Sequence, residues 1–139
     1  DAFWTRRLEA ISSWERHLAD TGTVVLKFFL NVSREEQRQR FLARLDEPEK
    51  NWKFSVGDVR ERGLWDEYMA SYEAALRVTS RPWAPWYTIP ADDNDYIRLT
   101  VADIVVRTLK TLPLHYPAVA EQDRERFAEM RALLEADRG

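Results

Sequence analysis

The residues best placed to do chemistry in this chain are cations clustered between Ser33 and Ser55, in the stretch SREEQRQRFLARLDEPEKNWKFS. Arg34, Arg38, Arg40 and Arg44 fall at helical spacing, and no acidic residue separates Arg38 from Arg44. Arg40 and Arg44 are four apart, so their guanidinium groups share one helix face and can converge on one anion. Lys50 and Lys53 follow in a short loop. Arginine forks backed by lysines suit the oxygens of a polyanion, phosphate above all. The competing reading is a solvated helix face, because Glu35, Glu36, Asp46, Glu47 and Glu49 nearly balance these cations.

The local sequence predicts how these residues are held. Ser33 can cap the helix, and Glu36, three residues on, can reach back to the cap. The helix ends near Asp46, and Pro48 prevents an easy restart. Upstream, Thr23 to Leu30 (TVVLKFFL) is β-branched, aromatic and apolar on both faces except for Lys27, which predicts a buried strand of a parallel sheet. Lys27 is either a snorkelling strand-edge lysine or a functional one. Ligands in such sheets sit beyond the carboxyl ends of the strands, so the arginine helix starts on the ligand side.

The remaining elements follow in order. Phe3, Trp4, Leu8, Ile11, Trp14 and Leu18 make an apolar stripe on a first helix over 3–19, stopped by Asp20-Thr21-Gly22. A second helix over 56–78 buries Val59, Trp65, Tyr68, Met69, Tyr72, Ala75 and Leu76, with Gly63 a weak point. Trp86 to Ile89 is a second strand, expected parallel to the first from the unbroken apolar run and the long crossover that parallel strands need. Asp92, Asp93, Asn94 and Asp95 offer caps for a helix packing through Ile97, Val101, Ile104, Val105, Leu109 and Leu112, with Arg98 on another face. A last helix, about 121–137, uses Phe127, Met130, Leu133 and Leu134. Two strands are too few for this much helix, so the rest of the sheet is expected from residues preceding Asp1.

Composition bounds the function. The 139 residues amount to one domain's worth of chain, and a net charge of -3 argues against nucleic-acid binding, leaving any anion site local. With no cysteine there is no disulfide framework and no thiolate nucleophile. His17 and His115 lie far apart, without metal-ligand spacing. The four glycines form no phosphate-cradling or dinucleotide-binding pattern. No apolar run reaches the length of a membrane span and the start shows no signal peptide, so a cytoplasmic protein is expected.

One set of residues goes further. Leu26 to Leu30, Ser33-Arg34-Glu35-Glu36-Gln37, Arg40, Arg44, Pro48, Lys50, Trp52-Lys53, Asp58, Trp65, Tyr68, Thr79, Ala84-Pro85-Trp86, Pro90-Ala91-Asp92 and Arg98 keep the order and spacing of the polyphosphate kinase 2 family. The chain resembles the C-terminal part of that domain, from about Ser12 to Pro117. The resemblance implies an α/β P-loop kinase-like three-layer sandwich, of which this is a mostly helical piece with two parallel strands. It also implies transfer of phosphoryl groups between inorganic polyphosphate and nucleoside mono- or diphosphates. Residues 33–62 match the lid, with Arg40, Arg44, Lys50 and Lys53 on phosphates and Arg98 assisting. Trp52 is expected to pack the lid loop. Magnesium is implied, with its ligands outside this segment, as is the phosphate-binding loop; a homo-oligomer is expected. Asn94 stands where the family pattern has a lysine, and Asp95 where an aromatic is usual. Two other functions stay open: a degenerate, non-catalytic domain for oligomerisation or scaffolding, and a nucleoside monophosphate kinase using ATP.

Overall fold

A computed structural model describes residues 2–137. It falls into two compact units, Asp1–Ile104 and Val105–Gly139. In the first, α1 (Ala2–Asp20) leads to β1 (Lys27–Asn31), then α2 (Arg34–Asp46) and a 3-10 helix over Pro48–Lys53. Two further helices, α3 (Val56–Arg62) and α4 (Trp65–Thr79), precede β2 (Trp86–Pro90), and α5 (Asn94–Thr111) begins in this unit and ends in the second. The second unit contains α6 (Glu121–Glu125) and α7 (Phe127–Ala136), where the sequence predicts one helix; Arg126 interrupts them.

The two strands pair in parallel, from Lys27 opposite Trp86 to Asn31 opposite Pro90. The first strand starts four residues later than its apolar run suggests. The ladder has nothing to pair with earlier, because Pro82 and Pro85 lack amide hydrogens and Arg81 and Ala84 close a tight turn on each other. Lys27 N donates to Pro85 O at 3.1 Å, the first bond of the pairing.

Glycine decides two boundaries. Gly22 takes φ 90°, and Thr23 N reaches Leu18 O at 2.9 Å while Gly22 N reaches Ala19 O at 3.0 Å, a Schellman ending of α1. The predicted single helix over 56–78 breaks after Arg62. Gly63 N donates to Arg60 O at 2.9 Å and Leu64 N to Glu61 O at 3.0 Å, so the last turn tightens to 3-10 geometry. A Cβ at position 63 would sit only 3.0 Å from the Arg60 carbonyl oxygen.

The apolar centre is small: Ala84, Ile89 and Ala91 are buried. Beside it lies an ion pair. Lys27 Nζ donates to Glu15 Oε2 at 2.6 Å and to Thr79 O at 2.8 Å, and lies 5.2 Å from the Trp86 ring centroid. Trp86 Nε1 in turn donates to Thr79 Oγ1 at 2.9 Å, and that hydroxyl donates to Ala75 O at 2.7 Å. Only 11% of the Lys27 side chain and 7% of that of Glu15 is exposed. Lys27 is therefore neither snorkelling nor poised for ligand; it joins α1, β1, α4 and β2.

Several apolar stripes predicted to be buried are open. Phe3, Trp4, Ile11 and Trp14 on α1, Val59, Tyr68 and Tyr72 on α3 and α4, Leu109 on α5, and Phe127, Leu133 and Leu134 on α7 are all exposed. The physical reason is the sheet itself. Two five-residue strands present too little surface to cover these helices.

Removing Lys27 alone strands a buried carboxylate. Lys27→Ala is expected to cost about 3–5 kcal/mol in chemical denaturation, and the paired change Glu15→Leu/Lys27→Met less than either single change. Additive losses in this cycle would rule out a coupled pair.

Candidate phosphate-binding lid

β1 delivers the chain to Asn31, and Ser33 then caps α2, its Oγ accepting from Glu36 N at 3.1 Å. The second half of the predicted box is built differently. Ser33 N donates not to Glu36 but to Asp92 Oδ1 at 2.7 Å, across from the end of β2. Glu36 instead accepts from Arg40 Nε at 2.8 Å. Arg40 Nη2 completes the exchange by donating to Ala91 O at 2.9 Å and Asp92 O at 3.1 Å. The loops beyond the two strands' carboxyl ends are thus laced together by α2. The Ser33 amide, and less strongly Arg40, hold the Asp92 carboxyl below its ordinary range. Asp93 is the one of the four candidate caps that caps α5, accepting from Asp95 N at 2.8 Å and Tyr96 N at 3.0 Å. Those amides lower its pKa as well.

Arg40 and Arg44 leave the same helix but turn to different partners. Arg44 Nη1 lies 3.6 Å from Asp58 Oδ2, with its guanidinium carbon 5.2 Å from the Phe41 ring centroid. Asp58 also accepts from Ser55 N at 3.3 Å in the capping box of α3. The 3-10 segment closes under α2 because Asn51 Nδ2 donates to Arg44 O at 2.7 Å and Leu45 O at 3.0 Å. Lys50 pairs with Glu47 at 2.5 Å, and Lys53 lies 5.1 Å from the Trp52 ring centroid. Trp52 is 79% exposed, so the packing predicted for it is not present. Arg98 is exposed and paired with Asp95 on its own helix at 2.9 Å; no hydrogen bond or ion pair ties it to α2.

The electrostatics separate anchored from exchangeable cations. Arg38, hydrogen-bonded to Glu35, holds that carboxyl at about 2, on the outer face of the helix. Partly exposed pairs such as Lys50–Glu47 and Arg44–Asp58 are worth roughly 0–1 kcal/mol each, so an incoming phosphate can replace the carboxylate with little loss. Arg40 is the anchored member. Three of its five hydrogens are spoken for, and Nη1 makes no hydrogen bond among the described residues.

Sequence reading passed over Arg62. Its Nη1 donates to Arg34 O at 2.7 Å and Gln37 Oε1 at 2.8 Å, tying the last turn of α3 to the first turn of α2. These contacts span 28 and 25 positions, so no local pattern signals them. Beneath lies a cleft of about 310 Å³ between β1, α2, α3 and α4. Among the described residues no three His, Asp or Glu side chains are grouped to hold a metal ion.

The latch between Asp92 and Ser33 has a predictable pH signature. The folded carboxyl has a depressed pKa, so its contribution is present above the ordinary value of 3.8 and lost as pH falls through the folded value. Asp92→Asn should therefore lower Tm near neutrality, with the gap to the parent closing in acid. A gap of constant size across the pH range would show that the Asp92 charge contributes nothing.

Comparison with known proteins places this geometry. The polyphosphate kinase 2 family model matches residues 1–115. An ADP-polyphosphate phosphotransferase of Rhodopseudomonas palustris is 47% identical over 133 residues, which are 96% of this chain and 46% of that protein. A crystal structure of polyphosphate kinase 2 from Arthrobacter aurescens superposes with a TM-score of 0.89 at 39% identity, covering 99% of this chain and 48% of the other. The chain thus spans about half the length of each. An uncharacterised protein in the chlN 3′ region of Leptolyngbya boryana is 52% identical over 134 residues, covering 96% of this chain and 98% of its own. On the family match over residues 1–115 and the likeness in sequence and fold, the chain belongs to the polyphosphate kinase 2 family.

Proposed function

We propose that this chain supplies the lid half of a polyphosphate:nucleotide phosphotransferase. The observation that carries the reading is the run Arg40, Arg44, Lys50 and Lys53 on α2 and the 3-10 segment, beyond the carboxyl end of β1. The relative named for ADP and polyphosphate supports the same substrates here. Phosphoryl transfer asks mainly for positioning and charge neutralisation, which such a lid provides. Arg44, Lys50 and Lys53 exchange carboxylate or solvent partners for phosphate oxygens, while Arg40 keeps α2 tied to the Ala91–Asp92 carbonyls and offers Nη1 to the phosphate chain. Arg98, exposed and paired with Asp95 on its own helix, assists with its charge. Magnesium would neutralise phosphate charge, held by residues other than those described, where no ligand cluster is formed.

The reading assigns the other half of the site, including the phosphate-binding loop, to chain outside the 139 residues, in keeping with a match to about half the length of two relatives. A larger sheet would cover the open apolar faces of α1. No helix among the described residues is long and apolar enough to cross a membrane. The proposal includes a cytoplasmic location and homo-oligomeric assembly, which fractionation and light scattering test.

Arg44→Ala is expected to weaken polyphosphate binding by about tenfold, the value of one charge-assisted contact, while Tm barely moves. Raised salt should narrow the difference, because the lost contact is electrostatic. Normal binding with a Tm several degrees lower would make Arg44 a structural partner of Asp58 and nothing more. The 139 residues alone should give no nucleotide from polyphosphate and magnesium, since one half-site cannot position donor and acceptor together. Robust turnover would refute the division of labour proposed here.

A further inference from the structure

We propose that one buried water molecule is held between Ser12 Oγ on α1 and Trp83 Nε1 in the turn that leads into β2. The seam where α1 meets the strands is polar, and most of its polar groups close on one another. Glu15 Oε2 accepts from Lys27 Nζ at 2.6 Å, Lys27 also donates to Thr79 O at 2.8 Å, and Trp86 Nε1 donates to Thr79 Oγ1 at 2.9 Å. Ser12 Oγ and Trp83 Nε1 are the exceptions. Both atoms are withdrawn from solvent, and neither has a hydrogen-bond partner among the described residues. Native proteins rarely leave such atoms unmet, because the group forfeits its bonds to water and gains nothing in return.

The two unmet atoms belong to the same seam. The Arg16 guanidinium carbon stands 4.6 Å from the Trp83 ring centroid, so the indole lies against the face of α1 that carries Arg16. Ser12 is one turn earlier on that face, beside the buried Glu15. Trp83 is held there from its own side. Arg81 N donates to Ala84 O at 3.3 Å and Ala84 N to Arg81 O at 3.0 Å, closing the turn around it, and Ala84 is fully buried. The chemistry of the pair is complementary: the indole nitrogen only donates, whereas the hydroxyl both donates and accepts. A direct bond would satisfy both, yet the two atoms make none. What suits them is a small group that accepts from the indole and bonds the hydroxyl in turn, and water does both. A pair of polar partners is enough to keep such a water in a protein interior. It ties α1 to the turn just before Pro85, whose carbonyl receives the first bond of the strand pairing.

The experiment is NMR on the full chain with isotope-labelled tryptophan indoles, the Trp83 resonance being assigned from its backbone. Its indole N–H is expected to show a nuclear Overhauser effect to water of the sign that marks a long-lived, bound molecule. It should also exchange with deuterium far more slowly than the indole of Trp52, which is exposed. Ser12→Ala removes one of the two partners and is expected to speed exchange of the Trp83 indole about fivefold, the weight of one hydrogen bond. Ser12→Thr keeps the hydroxyl and should retain most of the protection. A protected indole with no bound-water signal means a direct contact and overturns the proposal. Exchange as fast as that of Trp52 overturns it too, because the seam is then open to solvent. A bound-water signal and a protection unchanged in Ser12→Ala overturn the assignment to Ser12. The parent spectrum tests the water without any variant, so the proposal stays refutable even where Ser12→Ala does not fold.

Discussion

The pairing of Lys27 with Glu15 is the contact on which the arrangement of this chain depends. A lysine whose side chain is almost withdrawn from water requires a partner, because an isolated ammonium taken from water costs far more than packing can return. Glu15 supplies the charge from α1, the Thr79 carbonyl supplies an acceptor from the end of α4, and Trp86 on β2 covers the ammonium with its ring. One side chain therefore sets the mutual positions of two helices and both strands. Among the described residues the buried apolar ones are Ala84, Ile89 and Ala91, too few to do this alone. A pair that contributes little net stability relative to well-packed apolar groups can still select one arrangement among several, and here it stands where that selection is needed.

From that frame α2 is aimed by a second, more exposed set of contacts. β1 ends at Asn31, and α2 must start within two residues, so its direction depends on what holds Ser33. Asp92 holds it from the β2 side, and Arg40 returns the tie from α2 to the Ala91 and Asp92 carbonyls. Arg62 performs the same task at the other wall. The cations we propose for phosphate are those with short-range, solvent-exposed partners.

The abundance of exposed aromatic and aliphatic surface follows from sheet size. α1, α3, α4 and α5 carry open apolar faces, and two of the relatives compared carry about as much chain again. The cleft between α2, α3 and α4 differs from those faces in being concave and in mixing rings with carboxylates, amides and a guanidinium. That mixture costs stability in a packed interface and is tolerated where a ligand or water completes the hydrogen bonds.

Sequence alone determined the order of the elements, the parallel pairing of the two strands, the Ser33 cap, the stop at Gly22 and the arginine face of α2. Each of these is written in local signals: a continuous apolar run, a serine before a helix, a glycine with positive φ, a four-residue spacing. Thr23 to Leu26 read as strand and are not, because a ladder ends where its partner runs out of amide hydrogens, and that partner is some sixty residues away. Trp65, Tyr68 and Tyr72 read as core and instead wall a cleft, because periodicity reports which residues share a face and not what lies opposite it. Arg40 and Arg44 read as a convergent pair, whereas the fold sends one to backbone carbonyls beyond β2 and the other to Asp58. The partners of Lys27, Ser33 and Arg62 were likewise decided only by tertiary structure. Charge and hydrogen-bonding groups act over a few ångströms in space, and no spacing along the chain encodes which distant carbonyl or carboxylate the fold brings within that reach.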